Sequence, residues 1–249
     1  MLLAIDIGNS SIKFGIFDNE KLVSRFAIPT GRVLSEPGVL ATEFTATAAV
    51  GINIHAVIIS SVVPEIEPAC RKFSEKHLAV KPIFVDHTFD FGLKIKYDPP
   101  GSLGIDRLIA AFAAVGKYGV PCIVCDFGTA ATIDAINSNG EYRGGIIAPG
   151  INNLSEALHR KIPRLPRVEI QKPESVFGNT TTGSIQSGIF FGYIGLVEGI
   201  LKRMIDELTE TPKIIATGGS AQLIAESCPM VEIVEADLIL NGLCALSHL

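Results

Sequence analysis

No stretch of this 249-residue chain is rich enough in lysine and arginine to form a basic stripe, and the formal net charge is −5. A nucleic-acid partner is not expected, because phosphate backbones are held by clustered cations. The chain also shows no uninterrupted apolar run of the roughly 18 residues that a membrane span needs. Its first residues carry no basic segment of the signal-peptide kind. A cytoplasmic protein with no membrane partner is the expectation. Cysteines number five, an odd count that fits a reducing compartment better than a disulfide framework. Cys122 and Cys125 stand three apart in an apolar run, where strand geometry turns them to opposite faces, so both read as core residues. The histidines at 55, 77, 87, 159 and 248 have no zinc-ligand spacing. No G-x-x-x-x-G-K-[ST] loop is present, which disfavours a P-loop nucleotide site.

What is present is apolar and regularly punctuated: hydrophobic residues make up 47% and charged residues 19%, enough for a sizeable core. Three short runs joined by tight turns open the chain, over 2–6, 12–19 and 21–28. They predict an antiparallel meander. A helix over 42–49, a strand over 55–63, a helix over 64–78 and a strand over 82–85 follow. An alanine-rich helix over 105–115 closes the first part, and then the order restarts. Strands are expected over 123–126, 131–136 and 142–147, and helices over 152–158 and 183–207. A strand over 213–217, a helix over 221–226, a strand over 231–234 and a helix over 237–247 end the chain.

The repeat is the informative feature. One apolar strand ends Asp6-Ile7-Gly8-Asn9-Ser10 and a later one ends Asp126-Phe127-Gly128-Thr129-Ala130, each followed by a meander and then helix–strand alternation. Two similar α/β halves, 1–116 and 117–249, facing each other across a cleft are the simplest architecture for this pattern. A single doubly wound sheet is the alternative, and it leaves the recurrence unexplained.

A glycine two residues after a strand-terminal aspartate lets the chain turn sharply and brings backbone amides close to an anion. In the first turn Ser10 and Ser11 add hydroxyl donors and Lys13 adds a cation for β- or γ-phosphate oxygens. Asp6 is useful beside phosphates only with Mg2+ between, and one carboxylate with water and phosphate oxygens suits that ion. The second turn adds Asp126 and Thr129, and Ala216-Thr217-Gly218-Gly219 offers flat backbone for a nucleoside. Further along, Gly104 precedes Asp106-Arg107 at the start of the alanine-rich helix. The carboxylate there could orient and deprotonate an alcohol, and the guanidinium could fork onto a substrate carboxylate. The plainer reading, an aspartate at a helix N-terminus beside a solvated arginine, is the one local sequence alone favours.

The three-part pattern of turns resembles the superfamily of actin, the sugar and acetate kinases and the heat-shock chaperone ATPases. That resemblance implies duplicated actin-like, ribonuclease H-like α/β domains around a nucleotide cleft. Further motifs narrow it: S-S-V-V-P at 60–64, Y-D-x-P at 97–100, G-I-D-R at 104–107 and G-G-I-I-A-P-G at 144–150. With Q-S-G-I-F-F-G-Y-I-G-L-V-E-G at 186–199, they make the whole chain similar to the type III pantothenate kinase family.

The resemblance implies ATP-dependent phosphorylation of the pantothenate primary alcohol, the first step of coenzyme A synthesis. It places ATP on Asp6, Ile7, Gly8, Asn9, Ser10, Ser11, Ile12 and Lys13, with Thr129. Asp106 becomes the general base. Tyr97, Gly104, Ile105, Asp106, Arg107 and Thr181 become pantothenate contacts. Asp126 is expected to lie near a monovalent cation, potassium or ammonium, and Asp6 to meet Mg2+ with ATP. A homodimer built through the second half is implied as well. Three positions and one segment depart from the family pattern: Ser10 replaces threonine, Pro99 replaces asparagine, and Ile105 replaces alanine, adding bulk beside Asp106. Gly178-Asn179-Thr180-Thr181 replaces G-x-N-T, which leaves Thr180 and Thr182 as neighbours of the expected contact. Two other readings stand beside this one: a different small-molecule kinase or phosphatase of the superfamily, and a non-catalytic regulator on the same fold.

Overall fold

A computed structural model describes residues 1–47 and 53–248. Its elements run β1 (Leu2–Ile7), β2 (Ser11–Asp18), β3 (Lys21–Pro29), α1 (Thr30–Ser35), α2 (Val39–Thr47), β4 (Ala56–Ser61), α3 (Glu67–Phe73), β5 (Ile83–Phe84), β6 (Lys94–Ile95) and α4 (Ile105–Tyr118). There follow β7 (Cys122–Phe127), β8 (Ala130–Ile136), β9 (Glu141–Pro149), α5 (Ile151–Lys161), α6 (Thr181–Leu208), β10 (Lys213–Thr217), α7 (Ala221–Ala225), β11 (Ile233–Val234) and α8 (Leu238–Leu246).

Two sheets carry these strands. The first has the order β3-β2-β1-β4-β5, and the second β11-β10-β7-β8-β9-β6. Read from its other edge, the second repeats the first, with β9, β8, β7, β10 and β11 taking the places of β3, β2, β1, β4 and β5, and β6 added outside. In each, an antiparallel meander joins through its first strand to a parallel pair. The recurrence seen in the sequence is thus a repeat of topology. It accounts for why β1 and β7 are apolar along nearly their whole length: both are central strands flanked on two sides.

The chain forms two compact units. The first comprises residues 1–92, 98–113 and 237–249, and the second residues 93–97 and 114–236. This division differs from 1–116 and 117–249 chiefly at the end of the chain. Helix α8 covers β1, β2 and β4 of the first sheet, and Arg25 grips Asp237 at its N-terminus with both carboxylate oxygens 2.7 Å away. Gly242 lets α8 lie close against α4, since a Cβ there would stand 2.8 Å from Ile109 Cγ2. The core of the first unit gathers Leu3, Ile5, Ile7, Phe14 and Ile59 with Val39, Leu40 and Phe73. That of the second gathers Ile123, Cys125, Phe127 and Ile133 with Phe190, Tyr193, Val197 and Leu201 of α6.

Most expected elements are present with bounds moved by a few residues. The expected helix over 64–78 is a composite: a 3-10 turn at Pro64–Ile66, then α3, then a π turn at Ser74–Leu78 ending on Ala79 with φ 55°. Helix α1 and the two-residue strand β6 had no counterpart in the sequence reading. The helix expected over 42–49 begins earlier, at Val39, and its positions 48 and 49 lie outside the described residues. All five cysteines are buried free thiols, and burial pushes Cys122 up to about 12, as befits core residues.

Helix α6 bears on the expectation drawn from uninterrupted apolar runs without overturning it. By length and composition it is the one helix among the described residues able to cross a membrane. Glycines, serines and a glutamine break its apolar residues into short runs, which hid it from a search for continuous stretches. One of its faces is built into the second core through Phe190, Tyr193, Ile194, Val197 and Leu201.

Candidate functional site

The expected site residues divide between the two units. Asp6 to Lys13, Gly104, Ile105, Asp106 and Arg107 belong to the first. Tyr97, Asp126, Thr129 and Thr181 belong to the second.

In the first unit, Asp6 is the penultimate residue of β1 and only 6% exposed. It stands opposite Lys13 in the antiparallel register with β2 and opposite Ser60 in the parallel register with β4. Ser60 Oγ donates to Asp6 Oδ1 at 2.8 Å. Burial raises the Asp6 carboxyl above its ordinary value; Lys13 and Ser60 oppose the rise, and the nearby Asp106 charge adds to it. A buried anion left short of compensation in this way is suited to a cation, and a single carboxylate matches the modest protein share of a Mg2+ shell.

The turn after Asp6 is held from below. Gly8 N–H donates to Ser11 C=O at 3.1 Å, Thr30 Oγ1 donates to Gly8 C=O at 2.6 Å, and Thr30 N–H donates to Ser10 C=O at 3.1 Å. Asn9 and Ser10 are exposed, whereas Thr30 is 2% exposed. Neither Thr30 nor Ser60 was singled out from sequence as a site residue. The two serines interrupting an apolar strand at 60 and 61 were the available signal for Ser60.

Helix α4 begins beside Gly104. Asp106 Oδ1 accepts from the N–H of Arg107 at 2.8 Å, and Leu108 N–H donates to Gly104 C=O at 3.1 Å. A Cβ on residue 104 would lie 2.5 Å from Asp106 Oδ1, so only glycine lets the carboxylate occupy that place. Leu103, just before, is tied by its carbonyl to His87 Nε2 at 2.7 Å. Arg107 is 7% exposed, which sets aside the reading of a solvated arginine. Ile105 is 6% exposed and belongs to the interior.

In the second unit, Asp126 has the position in β7 that Asp6 has in β1. It pairs with Thr217 of β10 and Thr132 of β8. Gly218 follows with φ +92°, and a Cβ there would fall 2.4 Å from Asp126 Oδ1 and 2.7 Å from the Phe127 carbonyl carbon. The backbone after β10 thus packs closely against the Asp126 carboxylate, as only glycine allows at that φ. No cluster of three or more metal-ligating side chains occurs among the described residues, so any cation here would draw on backbone or ligand oxygens. Thr129 is exposed, and its carbonyl accepts from Gly150 N–H at 2.9 Å and Asn153 Nδ2 at 2.7 Å.

Thr181 is the first residue of α6. Thr180 is its N-cap, with Oγ1 accepting from Gly183 N–H at 3.0 Å, so that hydroxyl has a structural task. Thr180 and Thr181 line an open groove of about 820 Å3 with Leu158, Leu165 and Ile185. Tyr97 follows β6 and meets Tyr142 edge-on.

A family model described as type III pantothenate kinase matches residues 2–203. The chain is 44% identical over 246 residues to a type III pantothenate kinase of Geotalea uraniireducens, covering 98% of this chain and 96% of that one. A Campylobacter jejuni structure, solved as a conserved candidate Baf family transcriptional activator, aligns with TM-score 0.64 at 23% identity over 99% of this chain and 97% of that one. A ROK family glucokinase of Streptomyces griseus, solved with glucose and AMPPNP, aligns with TM-score 0.58 at 14% identity over 98% of each chain. At such identities the two structures speak for the fold, that of the actin-like ATPases and sugar kinases. Sequence identity over almost the full length speaks for more: the chain belongs to the type III pantothenate kinase family.

Proposed function

We propose that this protein transfers the γ-phosphoryl group of ATP to the primary alcohol of pantothenate, forming 4'-phosphopantothenate in the first step of coenzyme A synthesis. One juxtaposition carries the reading. Asp106, seated over Gly104, lies close enough to Asp6 in the same unit for their charges to act on each other. A base for an alcohol and a turn for phosphate therefore share one neighbourhood.

In this reading the segment Asp6 to Lys13 holds the triphosphate through turn amides, the hydroxyls of Ser10 and Ser11 and the Lys13 ammonium, while Thr129 adds a hydroxyl to ATP. Mg2+ on Asp6 supplies charge neutralisation for the phosphate oxygens when bound. Asp106 accepts a hydrogen bond from the attacking hydroxyl, and Arg107 holds the pantothenate carboxylate. Tyr97, Gly104, Ile105 and Thr181 complete the pantothenate contacts. Phosphoryl-transfer transition states are usually loose, so Asp106 acts more by orienting the alcohol than by early deprotonation. Asp126, with the Gly218 backbone close against it, would hold potassium or ammonium.

The protein works in the cytoplasm as a homodimer, with neither nucleic acid nor membrane as partner. Helix α6 supports the dimer: Gly188, Gly192, Gly195 and Leu196 are exposed on the side away from its buried residues. A regulator that keeps the fold without catalysis is the competing reading. The presence of Asp6, Lys13, Asp106, Arg107 and Asp126 together weighs against it.

The test is ATP-dependent formation of 4'-phosphopantothenate by the purified protein, with and without potassium. Product is expected in both cases and more of it with potassium. Its absence under both conditions rejects the reading, and a panel of sugars, carboxylates and polyphosphate then tests the other kinases of the superfamily.

A further inference from the structure

The ring of Tyr142 is fully buried, and its hydroxyl donates to Asp134 Oδ1 at 2.6 Å. Asp134 is itself 2% exposed. A hydroxyl bonded to a buried carboxylate is held more firmly than one bonded to a neutral acceptor. The backbone makes room for the pair: Gly145 faces Asp134 across β8 and β9, and a Cβ on it would lie 2.2 Å from Asp134 Oδ1.

Tyr142 also marks where β6 joins the sheet. Lys96 N–H donates to Tyr142 C=O at 2.9 Å, and Tyr97 is the next residue. The rings of Tyr97 and Tyr142 meet edge-on, with centroids 6.4 Å apart and planes at 69°. Gly144, at φ +101°, lies beside the same ring: a Cβ there would be in ordinary contact, 3.9 Å from Tyr97 Cδ2. Strand β6 has only two residues, so its own pairing constrains Tyr97 little.

From this chain of contacts we infer that Tyr142, tethered through its hydroxyl to Asp134, is a positioning residue that sets the ring of Tyr97. The inference rests on the proposed reading of Tyr97 as a pantothenate contact. Tyr142 is buried and touches no substrate; it acts only through Tyr97.

The test is Tyr142→Phe, which removes the tether and keeps the ring. Pantothenate KM should rise about 3- to 10-fold, the range for loss of one hydrogen bond, with kcat and the KM for ATP nearly unchanged. In a Tyr97→Ala background the same substitution should add nothing. Asp134→Asn, whose amide oxygen can still accept from the hydroxyl but as a neutral group, should raise pantothenate KM less than Tyr142→Phe does.

A second readout needs no activity. The chain has four tyrosines, so 3-fluorotyrosine labelling gives four fluorine resonances. That of Tyr97, assigned with Tyr97→Phe, should shift in Tyr142→Phe. If Tyr142→Phe fails to fold, the double variant Tyr142→Phe/Asp134→Asn removes the tether without leaving a carboxylate short of its donor, and both readouts are taken on it. An unmoved Tyr97 resonance with unchanged pantothenate KM overturns the inference, as does a KM effect that persists undiminished in Tyr97→Ala. If the wild-type protein makes no phosphopantothenate, the functional reading fails, and the fluorine spectrum alone decides whether Tyr142 positions Tyr97.

Discussion

Ser60 and Asp6 face each other in the parallel register of β4 and β1, joined by a 2.8 Å hydrogen bond from the serine hydroxyl to the carboxylate. Thr217 and Asp126 occupy the matching register of β10 and β7. Each of these aspartates thus has a hydroxyl residue beside it on the neighbouring parallel strand.

Asp6 is held at a cost to the fold. Its carboxyl is raised above the ordinary value mainly by burial. A raised acid favours the folded state at pH below the unfolded carboxyl's range, and that advantage is lost as pH rises through the folded value. At neutral pH the ionised Asp6 therefore destabilises the protein. Asp6→Asn should raise Tm at neutral pH, with the difference shrinking on acidification, while phosphopantothenate formation falls at least about 100-fold. Thermal unfolding across pH, paired with the product assay, checks both halves.

The phosphate turn depends on Thr30 from outside the motif. Thr30→Val keeps the shape and the backbone bond to Ser10 but removes the 2.6 Å bond to the Gly8 carbonyl. The KM for ATP should rise about 2- to 10-fold, as for loss of one hydrogen bond. Pantothenate KM should hold steady. Steady-state kinetics with each substrate varied in turn separates the two.

Asp106→Asn preserves the acceptor for the Arg107 N–H and removes the charge. Turnover should drop about 100- to 10,000-fold, the usual range for losing a general base. Nucleotide affinity, measured by calorimetric titration with a non-hydrolysable ATP analogue, should change little. Near-wild-type turnover would sink the proposed role.

Gly218→Ala places a Cβ 2.4 Å from Asp126 Oδ1 at a φ of +92°. A loss of about 1–3 kcal/mol in stability is expected from the backbone conformation alone, with more from the contact. Because Asp126 must shift, activation by potassium should weaken beyond what the stability loss explains. Denaturant melts and a potassium titration of activity make the comparison.

Much of this was legible in residue order. Apolar runs ending in Asp-x-Gly marked β1 and β7 because a central strand needs apolar residues on both faces and a turn at its end. The strand at 55–63 was equally plain, yet Ser60 as the partner of Asp6 was not, since register between strands far apart in sequence is a tertiary property. Thr30 was hidden because its bond to the Gly8 carbonyl spans 22 residues, and the Asp134–Tyr142 pair because two polar residues of a local hairpin do not announce that they are buried together. How far Ile105 is buried was not legible, since a residue at a helix start has no periodicity to show which way it faces; it is 6% exposed. Pattern likewise showed that the last helix is apolar without showing which sheet it covers.

That last point bears on how the protein comes into being. Strand β1 is made before α8, the helix that covers it. The sheet bearing Asp6 waits through the synthesis of the entire second unit before its cover exists. The second unit, continuous from Ala114 to Ala236 apart from the short segment Leu93–Tyr97, is free to condense during that interval. The half that is made first is thus the half that matures second, and phosphate-binding competence is expected to appear only once α8 has been made.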